Sequence, residues 1–406
     1  MSNSLARRKF MKLLSGSSAL TFAGLSFPNL VKAAENHPEE TKFAFQTKPY
    51  LQNPAKDAIT ITWLTNKPAH SWIEYWPEGS SQKKSETIVS GLVVANNTLN
   101  KIRLENLQPG RKYSYKILSK EIITFEAYKK AFGETLTSEE FYFETMNPSK
   151  DTMSMLIFND IHDRPHSFGE LEKLNGNDPY EMVFLNGDMF DYQTNEQQLV
   201  DHLINPCSEI FASHKPFLFV RGNHETRGPF SYQLENYFEN IGRMPYFSFT
   251  NGPVFFVALD TGEDKPDDDP AYYGLAAFDP FREKQALWLE QQLRSPEARK
   301  ATYRVILMHI PPFHSGDWHG TMHCRKVFTP VFEKHKVDLV VSGHTHKYGV
   351  HPPSAEHGFP IVIGGGPKEG NRTLIKLKAD RKQLTLNMIA DSGTQVGEYV
   401  VKAKKA

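Results

Sequence analysis

From Lys48 to Met146 apolar and polar positions alternate with a period of two. Ala58–Trp63 and Ser71–Tyr75 place every second side chain on one face, and Asn100–Leu107 does the same. Leu107–Tyr115 reads as a Pro-Gly turn feeding a further strand, and Phe141–Thr145 closes the set. Short strands punctuated by Pro, Gly and Asn predict a β-sandwich over residues 44–147. Within it, residues 119–138 read as an insertion with helical character. At Met153 the pattern changes. Mainly apolar runs at Met155–Phe158, Met182–Leu185, Phe217–Val220, Val254–Leu259, Arg304–Met308 and Val337–Val341 alternate with helical segments near 194–212, 281–294 and 325–335. Unbroken runs of β-branched and aromatic residues predict strands buried on both faces. Their alternation with helices predicts an α/β layered domain over residues 153–401, returning to strands after about 360.

The first 33 residues stand apart from both patterns. Arg7-Arg8-Lys9-Phe10-Met11-Lys12 resembles a twin-arginine export motif, and a weakly apolar stretch, Leu13–Phe27, follows it. That stretch is shorter than the roughly 20 apolar residues a membrane span needs. Val31-Lys32-Ala33 supplies small residues for cleavage near Ala33. Residues 1–33 are therefore read as a twin-arginine signal peptide, and the mature chain as periplasmic or secreted, without a membrane span.

Charge changes the picture once this segment is set aside. The 406 residues carry 47 basic and 47 acidic side chains. Five of the basic ones, Arg7, Arg8, Lys9, Lys12 and Lys32, lie in the leader with no acid beside them, leaving 42 basic against 47 acidic. A mildly acidic surface disfavours long nucleic acid as a partner. The two cysteines, Cys207 and Cys324, form no Cys-x-x-Cys pair, so neither a thiolate metal site nor a redox motif is expected.

Chemistry gathers where the buried strands end. Asp160-Ile161-His162 follows the first, Gly187-Asp188-Met189-Phe190-Asp191 the second, and Gly222-Asn223-His224-Glu225 the third. His309 ends the strand Arg304–Met308, and Gly343-His344-Thr345-His346 follows Val337–Val341. Ligands of open α/β sheets bind at the carboxyl ends of strands. Five loops thus deliver Asp, His and Asn to one crevice. In an extended strand end, residues i and i+2 share a side, which would project Asp160 with His162 and His344 with His346. Carboxylate, imidazole and amide oxygen without sulfur suit Mn, Fe or Zn. The triple glycine Gly364–Gly366 reads as a turn after Ile361–Ile363.

This ordered set of motifs resembles the calcineurin-like metallophosphoesterase family. The sandwich before it resembles a fibronectin type III domain, of the kind that precedes the catalytic domain of purple acid phosphatases. The resemblance implies two mixed sheets flanked by helices and a centre of two di- or trivalent metal ions, of Fe, Mn or Zn. By that resemblance Asp160, His162, Asp188 and His346 hold one metal, Asp188 bridges, and Asn223, His309 and His344 complete the second site. His224 faces the substrate phosphate, and Asp191 orients it. Purple acid phosphatases carry Gly where His162 stands and a ligating Tyr where Asp191 stands; the exchange keeps the ligand count and removes the chromophore. The implied reaction is hydrolysis of a small phosphate ester by a metal-bridging hydroxide. A monoester is favoured; a small diester or nucleotide is the alternative, and a non-catalytic binding or adhesion protein the second. Candidate substrate contacts are Arg227, Arg164, His314 and Trp318, with His166, His319 and His323 nearby in sequence. Oligomeric state is left open.

Overall fold

A computed structural model describes residues 41–404. The export signal read from the sequence lies outside the described residues. Two six-stranded sheets form the larger half. The first runs, in spatial order, Phe217–Val220, Met182–Asn186, Met153–Phe158, Thr373–Ala379, Gln383–Ala390 and Gln395–Lys402. The second runs Phe247–Asn251, Val254–Leu259, Tyr303–Met308, Leu339–Ser342, Ile361–Ile363 and Gly349–His351.

Period-two geometry decides which side chain faces which layer. Met153, Met155 and Ile157 pack inward against Phe256, Val305 and Leu307 of the second sheet, filling the space between the sheets. Leu156 and Phe158 point the other way, onto Phe168, Leu203 and Phe211 of the helical segments. On the far side, Val257, Ile306 and Val340 meet Leu289, Phe328 and Phe332 of helices Phe278–Leu293 and His319–His335. Both faces of Met182–Asn186, Phe217–Val220, Val254–Leu259 and Leu339–Ser342 are covered, which is why these strands read as unbroken apolar runs. Pairing among Met153–Phe158, Met182–Asn186 and Phe217–Val220 is parallel, as it is between Tyr303–Met308 and Leu339–Ser342. Within each sheet the carboxyl ends therefore open on one edge, and the chemistry-bearing loops emerge there together.

The preceding all-β part is organised by one long strand, Ile59–Pro77. Its first half pairs with Tyr50–Gln52 and with Asn100–Leu104. Its second half, beyond an irregularity between Leu64 and Ala69, pairs with Tyr113–Glu121. Trp63 is fully buried in this core, and its indole N–H donates to Ser119 Oγ at 3.0 Å. Residues 119–138 are not helical. Lys112–Phe125 and Lys130–Thr137 form an antiparallel hairpin in which Leu118 and Ile122 stay buried. Tyr50 and Tyr115 tie this part to the larger half. Each phenol donates to a main-chain carbonyl, of Tyr237 and Ser213 respectively, at 2.8 Å. Glu239 accepts from Asn53 at 3.0 Å and Thr60 at 2.9 Å across the same boundary. Cys207 and Cys324 are both buried and unpaired. Among the described residues no helix is long and apolar enough to cross a membrane.

Candidate metal centre

The loops that leave the strand ends are stitched to one another. Asp160 N–H donates to the Gly187 carbonyl at 3.1 Å and His162 N–H to the Asp188 carbonyl at 3.0 Å. Gly343 N–H donates to the His309 carbonyl at 3.0 Å. The expected extended geometry is absent. Asp160, His162, Asp188, His344 and His346 all have left-handed backbones, with φ between 50° and 73°. A left-handed turn at each position brings the side chains inward, at about 1–2 kcal/mol per non-glycine residue. Close approach explains two of the motif glycines. A Cβ at Gly222 would overlap Asp188 Oδ1, and one at Gly343 would overlap Asp160 Oδ2.

Three groups of ligand-type atoms result. Asp160, His162, Asp188 and His346 offer atoms within 4.8 Å of one another; so do Asp188, His309 and His344; so do His162, Asp191 and His224. Asp188 belongs to the first two. His344 Nδ1 lies 2.9 Å from Asn223 Oδ1, which brings Asn223 to the second group. His344 and His346 thus serve different groups rather than projecting together.

The donor set suits the metals expected from its chemistry. His162 Nε2 and His346 Nε2 face each other at 2.9 Å, two lone-pair positions converging on one point. His309 donates from Nδ1 to the Asn186 carbonyl at 2.8 Å. Its buried Nε2 is left without an aligned hydrogen bond, 3.0 Å from Asp188 Oδ2. Burial raises the pKa of Asp160, but the imidazoles of His162 and His346 beside it outweigh that and hold the carboxyl well below the usual range. Asp188 behaves alike, burial being outweighed by the charge of the neighbouring His309. Burial would lower His309, yet Asp188 carries it up to about 10. Burial and His309 together push His344 down to about 4. Two buried carboxylates among imidazoles form an anionic pocket that draws in cations, protons when nothing else is bound.

Several residues differ in role from the sequence expectation. The Asp191 carboxylate does not orient His224. It accepts from His162 Nδ1 at 2.9 Å, while the Asp191 main-chain carbonyl faces His224 Nδ1 at 2.6 Å. Arg227 is committed to Glu263, at 2.6 and 2.8 Å, and to Asp264 at 3.2 Å. It still reaches the site, with Nη1 3.2 Å from His224 Nε2. Arg164 folds back onto the His162 carbonyl and lies 3.7 Å from Asp191 Oδ1. His314 turns away to stack on His351 and to meet His357 Nε2 at 2.9 Å. Trp318 is exposed at the start of helix His319–His335, and His319 pairs with Asp279 at 2.9 Å. His323 lies 3.3 Å from Asp279, and His166 is exposed. Gly364–Gly366 form a wall rather than a turn: a Cβ on Gly364 would strike Asn159, and one on Gly366 would sit 2.5 Å from His346 Cβ.

Two supporting residues were not singled out by sequence reasoning. Glu225 is fully buried and accepts main-chain N–H groups from Asp188, Met189, Phe190 and Gly222, at 2.6–3.3 Å. It clamps the second and third loops together. Burial and the neighbouring Asp188 charge push its carboxyl up to about 7. Asn159 donates to Asp160 Oδ2 at 2.6 Å and to the Gly365 carbonyl at 2.9 Å. Both lie inside or beside quoted motifs, and an acid next to a histidine in Gly-Asn-His-Glu was the available signal.

Known proteins resemble both parts of this chain. Residues 153–348 match the family model of calcineurin-like phosphoesterases, and residues 45–145 that of the purple acid phosphatase N-terminal domain. A probable purple acid phosphatase 20 of Arabidopsis thaliana is 25% identical over 405 residues, spanning 92% of this chain and 85% of its own length. The purple acid phosphatase of Glycine max is 24% identical over 329 residues, spanning 76% of this chain and 65% of its own. The solved structure of purple acid phosphatase PPD1 from yellow lupin (Lupinus luteus) seeds shares the fold, with a TM-score of 0.67 at 18% identity over 87% of this chain and 74% of that one. The chain is a metal-dependent phosphoester hydrolase, a calcineurin-like metallophosphoesterase domain joined to a purple acid phosphatase N-terminal domain, with Asp188 shared by two groups of ligand-type atoms.

Proposed function

We propose that the chain is an exported phosphomonoesterase. In this reading Asp160, His162, Asp188 and His346 hold one metal ion, and Asp188, Asn223, His309 and His344 hold the second. The membership of Asp188 in both ligand groups carries the proposal, because one carboxylate has two oxygens and can serve two ions. When bound, such a pair supplies Lewis acidity toward phosphoryl oxygens and activates water near neutral pH.

The chain's own residues do the rest. Asp191 fixes the His162 ring through Nδ1, leaving Nε2 directed inward. Asn186 does the same for His309 through its carbonyl. His224 faces the substrate with its Nδ1 proton held on the Asp191 carbonyl. In the imidazolium form it carries a second proton, at Nε2, which passes to the departing alkoxide oxygen. Burial lowers the His224 pKa, so this acid form gains population on the acid side of neutrality. No tyrosine occupies position 191, so the loaded protein is expected to lack the visible band of a tyrosinate–iron centre. The names of the relatives, phosphatases, support a monoester over a diester. Export rests on the Arg7–Lys12 motif and the apolar stretch behind it.

The test is phosphate release from p-nitrophenyl phosphate against bis(p-nitrophenyl) phosphate, with Fe, Mn or Zn supplied and metal content measured. Two ions per chain and faster turnover of the monoester are expected. A preference for the bis-ester would make the enzyme a diesterase. Metal-loaded protein inert toward both would leave the binding-protein reading.

A further inference from the structure

Beside the metal centre lies a second feature that the hydrolytic chemistry does not use. A cleft of about 660 Å³ is lined by Arg221, Arg227, Tyr232, Lys265, Tyr272 and Leu275, among others. Its volume falls in the range that encloses a drug-sized molecule. Arg227 is the wall it shares with the site, since its guanidinium lies 3.2 Å from His224 Nε2. The His224 ring in turn packs edge-on against His162 at 4.7 Å, and His162 Nε2 is 3.5 Å from Asp188. The cleft thus adjoins His224, and through it the candidate metal centre, at the Arg227 side chain.

Charge and surface then say which group. The cleft's three cations all have acidic partners. Arg221 is bonded to Asp260 at 2.8 Å and lies 3.5 Å from Glu235. Arg227 is bonded to Glu263 and Asp264, and Lys265 lies 3.2 Å from Asp264. No positive charge is left over to neutralise a second phosphate or a carboxylate on the substrate. What the cleft offers freely is apolar surface. Tyr232 is 75% exposed and Leu275 77% exposed, and both face this one cleft. Tyr272 lines the same space.

We propose that this cleft receives the alcohol part of the substrate and selects phosphate monoesters whose leaving group is aromatic or extended apolar and carries no further negative charge. The inference rests on the phosphomonoesterase reading and names its substrate class. Tyr232 and Leu275 act as specificity-determining residues, and neither touches the metal ligands.

The experiment compares kcat/KM for 2-naphthyl phosphate, ethyl phosphate and fructose 1,6-bisphosphate in the metal-loaded enzyme and in the double variant Tyr232→Ala/Leu275→Ala. Both side chains are exposed, so folding is spared. In the variant, 2-naphthyl phosphate should lose about 10-fold while ethyl phosphate changes less than about twofold, the scale of one hydrophobic subsite. The wild type should prefer the naphthyl ester to the bisphosphate. Equal losses on naphthyl and ethyl esters, no loss on the naphthyl ester, or a preference for the bisphosphate would each overturn the proposal. Calorimetric Kd values for 2-naphthyl and ethyl phosphate separate the two levels. Turnover of neither ester removes the phosphomonoesterase reading; a naphthyl Kd unaltered in the variant removes the cleft.

Discussion

The N-terminal strands and the metal-centre loops follow opposite rules. In the core strands alternation holds, Ile59, Ile61 and Trp63 are inside, and the indole of Trp63 finds its hydrogen-bond partner in Ser119. In the loops, five aspartates and histidines adopt backbones that glycine prefers, three carboxylates (Asp160, Asp188 and Glu225) are buried, and His309 Nε2 is left unbonded. Local rules are kept where the chain only has to fold and broken where it has to bind. Substitutions should therefore divide cleanly: loop variants change metal content and turnover, strand variants change stability.

The strongest expected break is at Asp188. Asp188→Asn keeps the shape but replaces a doubly used carboxylate by a neutral amide. Metal content should fall at both sites and turnover by more than about 10³-fold, several kcal/mol of transition-state stabilisation. A variant with two ions and full activity would dissolve the shared-carboxylate reading. Next comes His224→Ala, which should keep both metals and lose about 10²-fold in kcat. The loss should shrink for esters with good leaving groups, which need less protonation; equal losses would leave only phosphate stabilisation.

Asp191→Asn sharpens the contrast further. Because the main-chain carbonyl holds His224, this variant should spare His224 and act through His162. Metal affinity should fall by about 10-fold, with little change in kcat at saturating metal. A defect matching that of His224→Ala would argue for the carboxylate after all. Metal loading also has a proton signature. His309, carried up to about 10, is protonated at neutral pH in the metal-free protein. A metal must displace that proton, so affinity should rise with pH up to about 10, and calorimetry in buffers of different ionisation enthalpy should report proton release. Metal-free stability runs the opposite way with pH. The His309–Asp188 contribution is fully present below about 6.5, the ordinary histidine value, and is lost as pH rises through about 10. The smallest effect on chemistry belongs to Trp63→Ala, which should cost about 3–5 kcal/mol of stability with kcat and metal content unchanged. Loss of metal there would mean the two regions are energetically linked.

How much could be read from the sequence follows the same division. Strand positions in the sheets, the helices over them and the order of ligand motifs were legible, because each is encoded locally by period and residue type. The hairpin at residues 119–138 reads poorly in the sequence because burial there shifts from Tyr113, Tyr115 and Ile117 to Leu118 and Ile122 while Ile123, Phe125 and Tyr128 are exposed, so no single apolar period runs through it. What a ligand's second nitrogen touches was not legible. Asp191 beside His162, Arg227 beside Glu263 and His314 beside His351 are contacts between distant segments, and no spacing records them. Glycine also has two meanings in sequence. At Gly364–Gly366 the lack of a side chain makes room for Asn159 and His346, although the triplet resembles a turn.

The two phenols that join the halves have a consequence for descent. Tyr50 and Tyr115 grip the main-chain carbonyls of Tyr237 and Ser213, not their side chains. A carbonyl is offered by every amino acid, so each grip survives replacement of the residue it holds, provided the path of the chain is kept. Relatives can therefore drift at positions 213 and 237 while the tyrosines stay, and the joint between the halves can outlast much of the sequence that surrounds it.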